Sequence, residues 1–257
     1  MLGGKRKDVQ DDTPFYRQRS WVSSAVFLGA ALVISLLSLA MGGGDGQADA
    51  TPPAKNASRG PLSTDDGKNG GLKAGERPKG CRTEEDKDAS RPTSAPKDVA
   101  WKSLGGVHLP TSPSAGPTRY SGPVWWCYAH NPMGAVMAAH SILSHMSTPD
   151  WRTVAEQQIV AGEGRDTFIS QRSRLGQSDL TTDDAGVYSG FFVGSYTKEK
   201  VQVRLLIKGT GGGLGATSVA MRWSGGDWKV EPQSNGALFT SSDSSVNSGG
   251  FIRWGAA

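Results

Sequence analysis

The four histidines are the side chains most able to do acid–base or metal chemistry near neutral pH. They are His108, His130, His140 and His145. His140 and His145 fall in a stretch of helical periodicity, where His145 points away from the apolar stripe and His140 lies on its flank. Because these two side chains cannot converge on one centre, we expect the histidines in solvent or at the boundary of the core.

The candidate acid–base carboxylates are Glu156 and the pair Asp183-Asp184. Paired carboxylates need environments that separate their pKa values, and Asp-Asp before a strand is typical of a turn. The glycine-rich run 209–215 lacks the Gly-Lys-Ser/Thr ending of a phosphate loop and lies between predicted strands. The sequence therefore predicts no catalytic residues and no cofactor.

The two cysteines, Cys81 and Cys127, belong to no C-x-x-C motif and have no histidine at zinc-ligand spacing, so we expect no metal site. In an oxidising compartment they either form one disulfide or stay as thiols. If they stay as thiols, Cys127 would be a small buried hydrophobe and Cys81 a solvent-exposed thiol. We favour the disulfide, which would attach the chain before Cys81 to the domain.

Aromatic residues flank Cys127 at Trp125, Trp126 and Tyr128. Such rings can stack on sugars or on protein partners, but they more often fill a core. Neighbours on an extended segment point to opposite sides, so we expect one tryptophan in the core and the other either exposed or packed against the linker. These three residues are the candidate interaction surface.

An uncharged segment of 21 residues, 21–41, is long enough to cross a bilayer as a helix of about 30 Å. The positive-inside rule places the tail 1–20 in the cytoplasm, because five basic residues precede the segment: Lys5, Arg6, Lys7, Arg17 and Arg19. A cleaved signal peptide ending near Ala40 is the alternative, but the apolar run exceeds the usual signal core. We predict a single-pass cell-membrane protein with its C-terminal domain outside the cytoplasm.

Residues 42–97 are rich in Gly, Pro, Ser and charged residues and have few large apolar side chains, which predicts a disordered linker. The extracytoplasmic domain follows at 98–257. The whole chain has 28 basic and 24 acidic residues, a net charge of +4. A nucleic-acid-binding domain would concentrate its basic residues, so we expect no direct contact with nucleic acid.

The domain begins with a predicted strand around Trp101, Val107 and Leu109, followed by a loop at 110–123. Asn131-Pro132 is a helix start, and an apolar stripe then runs to Met146. A second helix runs from Asp150 to Gly162, and a weaker third is predicted at 165–175.

In the second half of the domain, apolar residues alternate with polar ones, as is typical of β-strands. Residues 187–196 and 200–208 form one predicted hairpin, 217–223 and 228–230 form another, and 251–254 is a last apolar piece. Helices followed by antiparallel strands predict an α+β fold, with the helices packed on one face of a curved sheet.

Three segments resemble a known family: Trp101 with GVHLPTSPSAGP, CYAHNPMGAVMAA, and MRWSGGDWKV. They are similar to an uncharacterised family of single-span membrane proteins of high-GC Gram-positive bacteria, often associated with integrative conjugative elements. More distantly, the chain resembles the bitopic assembly component of conjugative type IV secretion systems, which has a cystatin-like, nuclear-transport-factor-like cone fold. The likeness covers about 98–254; Trp125-Trp126 and the loop 209–215 depart from it.

The resemblance implies a non-enzymatic assembly component of a DNA-transfer apparatus, whose partners are the membrane, other secretion-apparatus proteins and, as an open question, further copies of the chain. It brings no catalytic residues. The alternative is an extracytoplasmic module that binds a ligand or the cell wall, because cone folds often enclose a pocket. An extracytoplasmic enzyme is the third reading.

Overall fold

The computed structural model describes residues 75–81, 83, 89–175, 186–242 and 248–255. The predicted cytoplasmic tail, the predicted transmembrane helix 21–41 and linker residues 42–74 lie outside the described residues. Within the part of the chain that is described, no helix has the length and apolar character needed to cross a membrane.

Two short antiparallel hairpins open the domain. Strands β1 (Ala100–Leu104) and β2 (Val107–Thr111) pair through a turn at Gly105 and Gly106, whose φ values of 53° and 87° suit glycine. Strands β3 (Arg119–Ser121) and β4 (Val124–Trp126) form the second hairpin. The predicted loop 110–123 therefore contains a strand, β3, which is too short and too polar to have a strand signal.

Three helices follow in the described chain: α1 (Pro132–His145), α2 (Trp151–Gln158) and α3 (Glu163–Arg172). The predicted start of α1 is confirmed, because the Asn131 side chain accepts a hydrogen bond from the Gly134 N–H at 2.9 Å and Pro132 occupies the first turn. Thirteen of the fourteen α1 residues are buried, so it is a central helix rather than a helix with one apolar stripe. This is why His140 and His145 are buried, contrary to our expectation.

The main sheet is antiparallel, with strand order β10-β5-β6-β7-β8 and with β9 also paired to β7. Its strands are β5 (Val187–Tyr196), β6 (Lys200–Lys208), β7 (Leu214–Ser224), β8 (Asp227–Val230), β9 (Thr240–Ser242) and β10 (Ile252–Arg253). Both predicted hairpins are confirmed by the β5–β6 and β7–β8 pairings.

The core lies between α1 and one face of this sheet. Val201, Val203 and Leu205 alternate on β6 and are nearly inaccessible to solvent, as their spacing predicted. At the far edge, Ile159 forms a parallel bridge with Val230, which ends α2 at Gln158 instead of at the predicted Gly162. The described domain is therefore α+β.

Candidate functional site

Residues 75–81, here called the strap, lie against the turn between β7 and β8. The Arg77 N–H donates to the Gly225 carbonyl at 2.7 Å, and the Gly75 N–H donates to the Gln157 side chain at 2.6 Å. These seven residues belong to the predicted linker 42–97, yet they have a defined place on the domain. The chain therefore enters the domain at this turn.

A disulfide joins the strap to the domain. Cys81 and Cys127 are bonded, with their Cα atoms 5.2 Å apart. Cys127 is fully buried and has φ 71°, a left-handed conformation that is uncommon for a residue with a Cβ. The surrounding structure must hold this conformation in place.

The Asp227 carboxylate supplies that hold. One oxygen accepts the Cys127 N–H at 2.7 Å, and the other accepts the N–H groups of Tyr128 and Trp228 at 3.1 and 3.0 Å. Burial raises the pKa of Asp227 to about 6, against the lowering effect of these hydrogen bonds and of the Arg77 charge. Because the carboxylate is inaccessible to solvent and fully engaged, its geometry is that of a clamp rather than of an acid–base group.

The Arg77 guanidinium adds a second attachment on the same side. Its Nη2 donates to the Thr83 hydroxyl at 2.9 Å and to the Tyr128 carbonyl at 3.3 Å. It also lies 5.6 Å from the centre of the Trp223 ring, within cation–π range. The strap is thus fixed both to the segment after β4 and to β7.

His130 stacks on the Trp223 ring, with ring centres 3.8 Å apart and planes 13° from parallel. Its Nε2 lies 2.7 Å from the Lys198 carbonyl, while the Trp228 indole N–H donates to the Ala129 carbonyl at 2.9 Å. These contacts join the segment after β4 to the hairpin turns of the sheet. His130 therefore has a packing role.

Lys229 is a buried amine at the start of the strap. Its Nζ donates to the Gly75 carbonyl at 2.5 Å, and burial lowers the pKa of the amine, opposed by the nearby Asp227 charge. Gly75 has φ 81°, a left-handed conformation that favours glycine. Together the disulfide, Asp227, Arg77 and Lys229 form one clamp around the strap.

The predicted interaction surface is not a surface. Trp125, Trp126 and Tyr128 are 5%, 4% and 0% exposed, so neither tryptophan is exposed. The reason is that both faces of β4 are covered, since all three of its residues are buried. The Trp125 ring packs edge-on against Tyr120 and His145. All three aromatic residues belong to the core.

The buried histidines are also structural. The Trp254 indole N–H donates to His140 Nε2 at 3.2 Å, so the proton of the neutral ring is on Nδ1, which donates to the Val136 carbonyl at 2.8 Å. Burial lowers the pKa of His140 to about 4. His145 is buried as well, and burial lowers its pKa.

Other candidate groups do not come together. Glu156 lies on the surface 3.9 Å from Arg152, and Asp183-Asp184 lies outside the described residues. The run 209–215 joins β6 to β7 as predicted. No group of three or more potential metal ligands occurs among the residues that the structure describes.

A groove of about 360 Å³ lies between residues 90–97 and the start of α1. Its lining mixes apolar side chains such as Met133 with polar ones such as Ser114 and Asn131. Asp98 holds the neighbouring loop by accepting the Ser112 hydroxyl at 2.7 Å and the Ser114 N–H at 2.8 Å. The groove is the concave feature to consider for a ligand.

The fold and the clamp define a class of protein: an α+β domain whose incoming chain is covalently bonded to the segment after β4 and hydrogen-bonded to the β7–β8 turn. The chain belongs to the family of the domain of unknown function DUF8175, whose model matches residues 63–253. The family match therefore includes the strap and part of the predicted linker. Neither the curated proteins nor the solved structures contain a match to this chain.

Proposed function

We propose that this protein is a non-enzymatic, membrane-anchored assembly component of a conjugative, type IV secretion-like DNA-transfer apparatus. The observation that supports this most is the clamp. If residues 21–41 cross the membrane, the strap is where any force from the anchor reaches the domain. A disulfide and several buried polar contacts at that point suit a part that must keep its position in an assembly.

We further propose that the domain has the cystatin-like, nuclear-transport-factor-like cone fold. The element order supports it: three helices precede the long strands β5, β6 and β7, and α1 packs on one face of their antiparallel sheet. In cone folds of this kind the helices pack on one face of a curved sheet. The central position of α1 agrees with that arrangement.

The state of the unusual polar groups supports a structural rather than an enzymatic role. Asp227 binds three backbone N–H groups, His140 is hydrogen-bonded through both ring nitrogens, and Lys229 binds a carbonyl. Perturbed pKa values often mark catalytic groups. Here Asp227, His140 and Lys229 are each hydrogen-bonded to a neighbour within the fold.

The cell-wall-binding alternative loses its main support, because the three aromatic residues proposed to stack on sugars are buried. Among the described residues, the groove beside residues 90–97 is a concave feature that this alternative can use. Two results together would favour this alternative. The native protein would be retained on purified peptidoglycan, and deleting its gene would leave DNA transfer unchanged.

Conjugation frequency tests the assembly role. Deleting the gene in its native host should abolish transfer of the conjugative element, and the full chain supplied in trans should restore it. A chain lacking residues 1–41 should fold yet fail to restore transfer. Normal transfer from the deletion strain overturns the proposal.

The proposed topology has its own test. A protease added to intact spheroplasts should digest the chain beyond about residue 42 and leave a small N-terminal fragment in the membrane fraction. Protection of the C-terminal domain, or a mature protein that starts near Met41, overturns the anchor.

A further inference from the structure

Residues 251–254, here called the arm, form one edge of the main sheet and bury a tryptophan. Among the described residues, strand β10 of the arm pairs with β5 alone, opposite Gly190 and Phe191. The Trp254 N–H continues this pairing by donating to the Ser189 carbonyl at 3.2 Å. The arm thus adds one short strand to the side of β5 that faces away from β6.

The Trp254 side chain anchors the arm in a pocket. The residue is 7% exposed, and its indole N–H donates to His140 Nε2 at 3.2 Å. Its ring centre lies 4.6 Å from that of Phe191 and 5.9 Å from that of Trp101. We call this pocket, together with the adjoining edge of β5, the seat. An added strand that inserts one anchor side chain is a general mode of recognition between proteins.

The chain that leads to the arm is longer than its path requires. One row of paired residues crosses five strands from β9 to β10: Ser242, Ala216, Leu206, Gly190 and Arg253. Four strand spacings make this row about 19 Å long. Residues 243–252, which join its two ends, span about 36 Å when they are extended. The arm can therefore leave its own seat, or reach another seat at that distance, while β9 stays paired with β7.

We propose that the arm also docks in the seat of a second copy of this chain, so that two copies exchange arms. The seat selects this occupant, because the same four residues already fill it and every copy carries both parts. The exchanged pair makes the contacts of the single chain, which makes such an exchange a low-cost route to a dimer. The exchange is independent of the proposed membrane anchor, and it gives the proposed assembly a contact between copies.

The connection keeps the arm at a high effective concentration near its own seat. Exchange therefore prevails where copies are crowded together, or where the arm is kept out of its own seat. The second condition can be produced by substitution, so that the contact between copies is measured without competition from the contact within one chain.

The test mixes two variants of the full chain in mild detergent. The acceptor is Trp254→Ala, which empties its own pocket and carries an affinity tag. The donor is Gly190→Ala, whose own seat is blocked because a Cβ there would lie 2.5 Å from the Ile252 carbonyl oxygen. The tagged acceptor should retain the donor, and light scattering after size exclusion should give the mass of a dimer.

The matched control for the donor is Gly194→Ala. Gly194 lies on the same strand, but a Cβ there would meet no atom closer than 3.6 Å, so the arm stays in its own seat. The acceptor should retain several-fold more of the donor than of this control. A donor that also carries Trp254→Ala should not be retained, because its arm lacks the anchor.

Equal retention of the donor and the Gly194→Ala control overturns the inference, and so does retention that survives Trp254→Ala in the donor. Absence of retention between variants that both keep their near-ultraviolet circular dichroism overturns it too. If the acceptor folds poorly, Trp254→Phe replaces it, which keeps a ring but loses the N–H that His140 accepts, and it should still retain the donor. These readouts involve neither the membrane anchor nor DNA transfer, so their failure is distinct from a failure of the proposed function.

Discussion

The carboxylate of Asp227 and the backbone N–H of Cys127 lie 2.7 Å apart although 100 residues separate them in the chain. Cys127 in turn is bonded to Cys81 of the strap. One buried carboxylate thus holds both the last hairpin and the covalent attachment of the incoming chain. Burying the charge of Asp227 lowers the stability of the folded state, yet the fold keeps this charge at the junction.

Replacing Asp227 by asparagine should change how stability depends on pH. The pKa of Asp227 is raised to about 6 from 3.8, so the folded state binds a proton more readily than the unfolded state. Protonation of Asp227 therefore stabilises the folded wild-type protein by at most about 3 kcal/mol. This stabilisation is complete below about pH 4 and is lost as the pH rises through 6. Denaturant unfolding of the full chain in mild detergent, at pH 4 to 7.5, measures it.

Asp98→Asn is the matched control. Burial alone would raise the pKa of Asp98, but hydrogen bonds from Ser112 and Ser114 lower it on balance. Its contribution therefore has the opposite sign and is lost as the pH falls. Parallel pH profiles for wild type and Asp227→Asn would contradict the first prediction.

Replacing His140 by glutamine should reveal a dependence of stability on pH that is opposite in sign to that of Asp227. The pKa of His140 is lowered to about 4 from 6.5, so acid protonates the unfolded state first. Its stabilisation is present above about pH 6.5 and falls by at most about 3 kcal/mol as the pH drops to 4. The two groups offset each other between pH 4 and 6, and the glutamine variant should gain relative stability on acidification.

The test is the same pH series of unfolding curves, recorded for wild type and for His140→Gln. A His140 variant that runs parallel to wild type would show that His140 is not held neutral in the fold.

The helices and strands with regular local patterns were predictable from the sequence. The start of α1 has local signals in Asn131 and Pro132, and the strands β5 to β8 show alternation and short turns. Such features depend on neighbours within a few residues of the chain. Periodicity therefore locates them well.

The clamp was not predictable in this way. The strap has the composition of a linker, and its partners Cys127, Gly225 and Lys229 lie 46 to 154 residues away. Asp227 follows two glycines and has the sequence pattern of a turn, with no sign that its carboxylate is buried. The burial of His140 and His145 was not predicted, because an amphipathic pattern implies one exposed helix face, whereas α1 is buried nearly all round.

Gly225→Ala should detach the strap. Gly225 has φ 67°, and a Cβ there would lie 2.4 Å from the Gly75 carbonyl oxygen. Gly106→Ala is the control, because φ is 87° there and no atom lies within 4 Å. Both variants should lose about 1 kcal/mol through backbone strain. The Gly225 variant should lose more, and trypsin should cleave it faster at Lys79.

Equal losses of stability in the two alanine variants would show that the strap does not depend on the close contact at Gly225. Equal cleavage at Lys79 would lead to the same conclusion. Urea unfolding and timed proteolysis of the same preparations give both readouts.

Opening the disulfide should loosen the strap without unfolding the domain. The bridge between Cys81 and Cys127 closes a loop of 46 residues, for which the chain-entropy model gives about 4 kcal/mol as an upper figure. Cys81→Ser is the better substitution because Cys81 is half-buried, whereas Cys127 is fully buried. Non-reducing peptide mapping of protein from native membranes first checks that the bridge is present.

The Cys81→Ser variant should unfold at lower denaturant than oxidised wild type, and wild type treated with dithiothreitol should match the variant. Cleavage at Lys79 should accelerate in both, while α1 and the sheet keep their slow amide exchange, because their contacts do not pass through the sulfur atoms. An unchanged unfolding midpoint would mean that Arg77, Asp227 and Lys229 hold the strap without the bridge. Alkylation of both thiols without prior reduction would show that the bridge does not form in the cell.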